Sequence, residues 1–343
     1  MVNQKCKELK TFIVFVIIAL IFSNASGQSK VGTTAVPFLG IHLGPRAAAM
    51  GGAFTAVSDD ATSLYYNPGG FARMGKSQIL FAHTNWLVNT SFNWVGFILN
   101  FDGSNAIGVS VTQLDYGQEE VTTVQQPEGT GERWSAMDLA AGLSYCRNLT
   151  DRFSIGGSIK YIQQKLWNES ASAFAVDVGL LFITQFNNMK LGMSISNFGT
   201  DMRMEGKELL HRVDLDPEAF GHNETIVARL KTDSWPLPLF FRVGVAMDVV
   251  RFGNSRLTLA TDAFRPSDNT ETINVGGEFS FNDMFFVRGG YKSLLRDDSE
   301  EGLTMGAGLK LSWGGTIAWY LDYTYANFGL FEDIQMISAG ISF

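Results

Sequence analysis

Residue types that could carry out chemistry are few and scattered along the chain. The four histidines are His42, His83, His211 and His222, and no two of them have the spacing of a metal-binding motif. The acidic stretch DLDPEAFGHNE, which starts at Asp214, lacks the complete ligand pattern of a calcium loop. Neither a Gly-x-Ser-x-Gly elbow nor a phosphate-binding glycine loop occurs. The sequence therefore predicts a protein that is not an enzyme and needs no metal or cofactor.

The N-terminal residues predict export. Three lysines precede an apolar run over residues 12–22, and small residues follow it as far as Gly27. This order is typical of a secretory signal peptide. The run is shorter than the roughly 18 residues that a transmembrane helix requires. We therefore expect residues 1–27 to be a signal peptide that is removed from the mature chain.

Charge and cysteine content exclude further classes of function. The formal net charge is −8, and removal of a leader with three lysines and one glutamate makes the chain still more acidic. An acidic chain is poorly suited to nucleic acid, so no nucleic-acid partner is expected. Cys6 belongs to the predicted leader, and Cys146 alone cannot form an intramolecular disulfide.

From Gln78 onward, apolar residues recur with a period of two, which predicts strands. The apolar face of these segments is almost free of charge, as expected for lipid contact, because a charge at mid-bilayer costs about 2–4 kcal/mol. The other face is mostly Gly, Ser, Thr and Ala, which suits a lumen. The sparse charges on that face are Lys160, Asp177, Lys190, Arg242, Asp262, Glu278, Arg288, Lys310 and Asp322.

Fourteen strands are predicted, an even number as in bacterial outer-membrane barrels. The segments are 78–85, 91–101, 105–114, 136–146, 152–165, 173–183, 188–197, 238–250, 255–265, 271–281, 284–292, 302–312, 315–325 and 332–343. Tight turns alternate with longer connections, which include 115–135 and 198–237. Short periplasmic turns and long extracellular loops are typical of this class. The predicted fold is all-β, a transmembrane outer-membrane β-barrel of 14 antiparallel strands over residues 77–343.

The last residues, QMISAGISF, alternate up to a terminal phenylalanine. They are similar to the C-terminal strand signal that the outer-membrane barrel-assembly machinery reads. We therefore predict that Ile341 and Phe343 form a barrel-assembly signal, with that machinery as a partner and outer-membrane lipid around the wall. Aromatic residues near segment ends, such as Trp94, Trp313 and Trp319, are expected in the interfacial girdles.

Residues 28–76 show little strand periodicity and are predicted to form a plug inside the barrel. A run of alanines favours a short helix that Gly51 and Gly52 end, and Asp59 or Asp60 can cap a second short helix. Small side chains and tight turns fit a fixed interior better than a flexible tail.

A hinge is predicted between the plug and the first strand. Pro68 ends the helical path and biases Asn67 toward an extended conformation. Gly69 and Gly70 then permit a sharp turn. The four residues 67–70 are therefore the predicted plug hinge.

The stretch GPRAAAMGGAFTAVSDDATSLYYNPGGFA, residues 44–72, resembles the N-terminal signature of the PorV/PorQ family. This family belongs to the wider FadL-type group of fourteen-stranded barrels with an N-terminal plug. The residues that carry the resemblance are Arg46, Met50, Gly51, Gly52, Asp59, Asp60, Asn67 and Pro68. Gly69 stands where the family has alanine.

The resemblance implies two alternative functions. PorV-like proteins are non-enzymatic partners of the type IX secretion system, in which the barrel receives exported cargo and delivers it to a cell-surface sortase. The loops 115–135 and 198–237 would then bind cargo or secretion-system proteins, and this is the role we expect. FadL-like proteins are instead passive transporters of hydrophobic small molecules. Their ligand pocket would lie near the plug residues Phe38, Leu39, Phe54 and Phe71.

Overall fold

The described chain forms one closed barrel around a folded N-terminal segment. The computed structural model of the protein describes residues 30–214, 226–294, 296, 299–331 and 333–343. The predicted signal peptide, residues 1–27, lies outside the described residues. Within those ranges, no helix has the length and apolar character needed to cross a membrane.

Fourteen strands build the barrel wall in the described part of the chain. They are β1 (Gln78–Asn85), β2 (Ser91–Asn100), β3 (Asn105–Glu120), β4 (Arg133–Asn148), β5 (Phe153–Leu166), β6 (Glu169–Ile183), β7 (Lys190–Gly199), β8 (Phe240–Phe252), β9 (Ser255–Pro266), β10 (Thr272–Phe281), β11 (Phe285–Tyr291), β12 (Leu303–Trp313), β13 (Ile317–Ala326) and β14 (Ile334–Ser342). Consecutive strands pair antiparallel, and β14 pairs with β1 from Gln78↔Ser342 to Asn85↔Gln335. The predicted fold class is confirmed.

The alternation of apolar and polar residues along the strands places apolar side chains outside the barrel and polar ones in the lumen, as predicted. Large apolar residues cover the outside of the wall, where lipid would contact them. All nine predicted lumen charges lie on inward-facing positions, and five of them are buried: Asp177, Arg242, Asp262, Glu278 and Arg288. Trp313 and Trp319 are exposed as expected of girdle residues, but the expectation for Trp94 is wrong. Its side chain is buried in the lumen, because the even positions of β2 face inward.

The wall is taller on one side than on the other. Strands β3 to β6 have 14–16 residues each, whereas β1 has 8, β11 has 7 and β14 has 9. The predicted loop 115–135 is thereby shortened, since β3 continues to Glu120 and β4 begins at Arg133. The remaining turn carries Val124, which is fully exposed.

The plug runs through the lumen from one end to the other. Its elements are a 3-10 turn (Pro37–Gly40), helix α1 (Pro45–Ala49), helix α2 (Ser63–Tyr66) and a second 3-10 turn (Phe71–Met74). The Ala35 amide donates to the Pro236 carbonyl at the end of the long loops, which is the extracellular end. The Lys76 ammonium donates to the Thr316 carbonyl in a tight periplasmic turn. The chain therefore crosses the lumen before it enters β1.

The predicted extracellular loop 198–237 has a base and a projecting hairpin. The base folds over the lumen, where Met202 and Leu237 are buried in the large apolar cluster between the plug and the wall. The hairpin consists of the paired strands Leu210–Val213 and Ile226–Arg229. In the described part of the loop, the base therefore lacks the outward position expected of the whole loop, and the hairpin has it.

Candidate functional site

The interface between the plug and the wall brings together most of the residues that the sequence singled out. Gly51 and Gly52 end α1 with φ of 64° and 81°, a backbone region that favours glycine. A Cβ on Gly51 would lie 2.8 Å from the Tyr291 carbonyl oxygen. A Cβ on the wall residue Gly290 would lie 2.2 Å from the Gly51 amide nitrogen. The two backbones touch directly, which requires glycine on both sides.

The predicted hinge residues sit at a second close contact with the wall. The Asn67 side-chain amide donates to the carbonyls of Thr55 and Leu180, at 2.8 and 2.9 Å. Its Oδ1 accepts from the Gly69 amide at 2.9 Å. One asparagine therefore ties the plug to itself, to β6 and to its own turn.

The hinge glycines are required by lack of space rather than by backbone conformation. Gly70 has φ of −98°, which any residue can adopt. However, a Cβ on Gly70 would lie 2.5 Å from the Ser58 carbonyl oxygen. On the facing wall, a Cβ on Gly156 would lie 1.9 Å from the Pro68 carbonyl oxygen. This contact holds residues 67–70 tightly against the wall. The role of these residues as a hinge stays a prediction.

A mostly buried set of charges, which we call the charged anchor, joins the plug to the wall. It consists of Arg46, Asp59, Asp60, Glu278, Arg288 and Asp322. The Arg46 guanidinium donates to both carboxylate oxygens of Glu278, at 2.8 and 3.0 Å. It also donates to Asp59 at 2.7 Å and to Asp60 at 3.0 Å. Arg288 continues the chain of charges from Glu278 to Asp322.

Burial makes the charged anchor sensitive to the loss of Arg46, Glu278 or Arg288, whereas Asp59 is 42% exposed. The side chains of Glu278 and Arg288 are 2% and 3% exposed. Burial raises the pKa of the Asp60 carboxyl, and the nearby Arg46 opposes that effect. Removing one partner from a buried ion pair is strongly destabilising, because it leaves an uncompensated charge. Arg46 is the only basic residue that the plug contributes to the anchor, so it carries the plug's side of the contact.

Wall residues that sequence reasoning did not single out as plug contacts also hold the plug backbone. Asp262 accepts from the amides of Phe54 and Thr55, at 3.0 and 2.9 Å. The Thr304 hydroxyl accepts from Gly51 and donates to Ala49. The sequence showed that Asp262 and Thr304 are polar residues on the lumen face of the wall. It did not show which lumen-facing residues contact the plug.

Three of the larger cavities in the described part of the chain border this interface. Two lie at the periplasmic end on either side of the charged anchor, with volumes of about 550 and 370 Å³, and charged side chains line both. The third, of about 430 Å³, lies at the extracellular end. Aromatic side chains such as Phe240 and Phe264 line it, and so do charged ones such as Asp268, Lys292 and Glu301. The four plug residues predicted for a ligand pocket, Phe38, Leu39, Phe54 and Phe71, are instead buried in packed clusters. In the described ranges, no group of three or more His, Cys, Asp or Glu side chains could hold a metal.

The remaining predicted site residues lie apart from the charged anchor. Met50 is fully buried against the wall. Ile341 pairs with Ile79 in the seam between β14 and β1. The Phe343 amide and carbonyl both bond to Ser77 at 3.0 Å, which extends the ladder beyond β14. The role of Ile341 and Phe343 as an assembly signal stays a prediction.

Comparison with known families identifies the chain. A family model described as type IX secretion system protein PorV matches residues 24–207, which is more than half of the chain. The chain belongs to the PorV family. The match includes the whole described plug, the charged residues Arg46, Asp59 and Asp60, and the hinge. The resemblance to the PorV/PorQ family and the outer-membrane location are thereby confirmed.

Solved structures share the fold at low sequence identity. The CymD monoaromatic hydrocarbon channel has a TM-score of 0.57 and 12% identity, with 88% of this chain and 96% of that chain covered. The Ralstonia pickettii toluene transporter TbuX and the P. putida toluene transporter TodX each have a TM-score of 0.50 and 11% identity, with 88% of this chain and 97% of theirs covered. A comparison with curated proteins finds no match. This PorV-family chain therefore has the same barrel fold as these channels.

Plug seating in this PorV-family barrel is expected to weaken below neutral pH. Burial, reinforced by the positive charges of Lys292 and Arg242, holds the pKa of His42 well below its usual 6.5. An unseated plug would protonate His42 near pH 6.5, so the stability that neutral His42 contributes is present above that pH and is lost as the pH falls below it. Papain cleavage of the plug should therefore be faster at pH 5 than at pH 7.5.

A pair of histidine variants separates this effect from other titrations. His42→Gln should flatten the pH dependence of cleavage, measured relative to an unfolded substrate at each pH. His83→Gln, which changes a histidine on the outer wall, should leave the dependence unchanged. An equal pH dependence in the wild type and His42→Gln would contradict the prediction.

Proposed function

We propose that this PorV-family chain is a non-enzymatic component of the type IX secretion system that binds exported proteins or secretion-system proteins at the cell surface. The observation that carries the proposal is the hairpin Leu210–Val213/Ile226–Arg229 and the chain around it. Large apolar side chains there are 40–61% exposed although they lie on an extracellular loop: Leu210, Ile226, Val227, Leu230 and Trp235. Ile226 and Val227 point to opposite faces of the hairpin, so both faces present apolar side chains, and exposed apolar surface on an extracellular loop is typical of protein-binding sites.

The backbone of the hairpin adds a second means of binding. Its two strands pair only with each other in the described part of the chain, so both outer edges keep unpaired amides and carbonyls. Such an edge can accept an extended segment of another protein as an added strand. The base of the loop does not have this freedom, because Met202 and Leu237 are buried.

The lumen supports a binding role over a transport role. The plug spans it from Thr34, bonded to Asp268 at the extracellular end, to Lys76 at the periplasmic end. Charged side chains line both periplasmic cavities, which is a poor environment for an apolar solute. FadL-like transport of hydrophobic small molecules remains the alternative, and the aromatic extracellular cavity is the observation in its favour.

The proposal predicts that the hairpin can be removed without loss of the barrel. Residues 210–229 are replaced by a short Gly-Ser linker, and the buried base is kept. We expect capture of exported proteins from whole cells to fall at least tenfold, because the exposed apolar surface is gone. The unheated protein should still migrate faster than the boiled protein on a gel, which reports an intact barrel.

Two single substitutions sharpen the test. Val227→Glu should lower capture as well, whereas Phe186→Glu, at an equally exposed apolar residue in a periplasmic turn, should leave it unchanged. In parallel, Phe240→Glu places a charge in the aromatic cavity. Normal capture by the linker variant, together with loss of apolar-solute uptake in Phe240→Glu, would favour the transporter alternative.

A further inference from the structure

The lipid-facing side of β1, β2 and β3 carries a row of polar side chains. From the periplasmic end, the outward positions are Ile79, Phe81, His83 and Asn85 on β1, Leu99, Phe97, Val95 and Asn93 on β2, and Ile107, Val109, Val111 and Gln113 on β3. His83 is the cross-strand partner of Asn93, and Asn93 of Gln113. We call His83, Asn85, Asn93 and Gln113 the polar row.

The polar row lies at a depth where lipid chains are expected. His83 is four positions above Ile79 on β1, which corresponds to about 10 Å of height at about 3.3 Å per residue and a tilt of about 40°. The apolar band of such barrels is about 25 Å tall. Three strands along the wall from β3, β6 keeps apolar outward residues from Phe182 to Phe174, about twice that span. The apolar band is therefore cut short at β1 to β3.

Hydrogen bonds within the polar row leave part of it unsatisfied. His83 Nδ1 lies 2.7 Å from Asn93 Oδ1, and His83 Nε2 lies 3.1 Å from Asn85 Oδ1. A neutral imidazole has one donor and one acceptor nitrogen, so one of the two asparagines must turn its amide N–H group toward the ring. In the described part of the chain, the remaining amide hydrogens of Asn85 and Asn93 have no acceptor. Amides without partners are costly in hydrocarbon. The polar row therefore calls for a neighbour that supplies hydrogen-bond acceptors.

Above the polar row, the turn between β1 and β2 presents a valine in a disfavoured conformation. Val88 has φ of 55° and ψ of 45°, and its side chain is 85% exposed. The left-handed region is strongly disfavoured for a β-branched residue, and such outliers concentrate at functional sites. Leu330, in the loop between β13 and β14, is 90% exposed. Because β14 pairs with β1, these two loops are neighbours, and we call Val88 and Leu330 the apolar rim.

We propose that the polar row and the apolar rim together form the docking surface for the wall of a second, different outer-membrane protein. This inference rests on the proposed function, since a secretion component must meet other membrane proteins. The partner would carry hydrogen-bond acceptors at the depth of the row and an apolar recess above them. From the periplasmic end upward, this face presents apolar wall residues, then the polar row, then the apolar rim. That order fits a protein that lies alongside the wall and extends above it.

Lipid and a second copy of the chain fit this surface less well. A bilayer thinned to the level of the polar row would leave Val88 and Leu330 in headgroups or water, with nothing to cover them. Two copies that met through the same face would oppose their rims, because a twofold contact places the same patch on both sides. Both rims protrude, so neither would fill a recess.

The test places the photo-crosslinking residue p-benzoylphenylalanine at Val95, directly below the polar row, and in a control protein at Val178 on β6. Irradiation of intact cells should give one adduct from Val95 that mass spectrometry identifies as a different integral outer-membrane protein, and no such adduct from Val178. Adducts with lipid only, or with a second copy of this chain, would overturn the proposal.

Substitutions show whether the adduct depends on the proposed surface. Val88→Gly relieves the disfavoured turn, so it should leave the barrel as resistant to urea as before or more so, yet lower the adduct at least tenfold. The double variant His83→Leu/Asn93→Leu should lower it similarly. Val124→Gly, at an equally exposed valine in another loop, is the matched control and should have no effect. An unchanged adduct in Val88→Gly and in the double variant would overturn the proposal.

The outcome is separable from that of the proposed function. The linker variant that removes residues 210–229 keeps the polar row and the apolar rim, so it should form the Val95 adduct at the wild-type level while it loses cargo capture. Loss of the adduct in the rim and row variants with cargo capture retained would support this surface alone. Retained cargo capture in the linker variant would contradict the proposed function without affecting the adduct.

Discussion

Replacement of Gly156 by valine is expected to keep the plug from seating against β5. The new Cβ would lie 1.9 Å from the Pro68 carbonyl oxygen, so backbone must move on one side of the contact. Overpacking of this kind costs about 1–3 kcal/mol, and a clash with backbone belongs at the upper end of that range. Papain should then cleave the plug of the assembled barrel at least tenfold faster than in the wild type.

Gly157 offers a matched control on the same strand. It is adjacent to Gly156 in the sequence but faces outward. The nearest atom to a Cβ placed on Gly157 would be the Asp177 carbonyl oxygen, 3.3 Å away. Gly157→Val should therefore leave both cleavage and barrel assembly close to the wild type. Equal protection of the plug in the Gly156 and Gly157 variants would show that the corner at Pro68 does not depend on this contact.

Arg46→Met is expected to unseat the plug by breaking the charged anchor. The substitution leaves Asp59 and Asp60 without their guanidinium partner, while Glu278 keeps only Arg288 at close range. Loss of one member of a buried ion pair costs about 3–5 kcal/mol. The plug should become accessible to papain while the barrel still migrates as a folded species before boiling.

Arg256→Met is the control for a general loss of positive charge. Arg256 lines the same cavity, but it is 34% exposed and lies 3.9 Å from Glu278 and from Asp283. Its removal should change plug protection little, since exposed and distant pairs contribute about 0–1 kcal/mol. Full plug protection in Arg46→Met would refute the anchoring role of the network.

The wall of the barrel was predictable because lipid imposes a simple rule on every strand. Most outward positions at the depth of the lipid chains are apolar, so the alternation in the sequence located all fourteen strands. The ends of the strands were less predictable, as at Glu120 and Arg133, because β3 and β4 leave the bilayer there and the rule no longer applies. Trp94 was misplaced because a tryptophan is equally compatible with an interfacial girdle and with a packed lumen.

The site was predictable in composition but not in its contacts. The small side chains and tight turns of the plug predicted a fixed interior, and Arg46, Asp59 and Asp60 do come together. Their wall partners could not be paired with them, because Glu278 is separated from Arg46 by 232 positions in the chain. The folded base of the loop 198–237 was missed for a related reason. Met202 and Leu237 become buried only when the lumen of the closed barrel is present.

The path of the plug constrains the order in which the molecule can assemble. The described chain begins at the extracellular mouth and enters β1 at the periplasmic end, and the seam pairs β1 with β14, the first and last strands of the wall. A cylinder that closed first would have to thread dozens of residues through a closed lumen. Contacts between positions this far apart also form slowly. The sheet must therefore curl around a segment already in place, and closure of the seam is the late step that traps it.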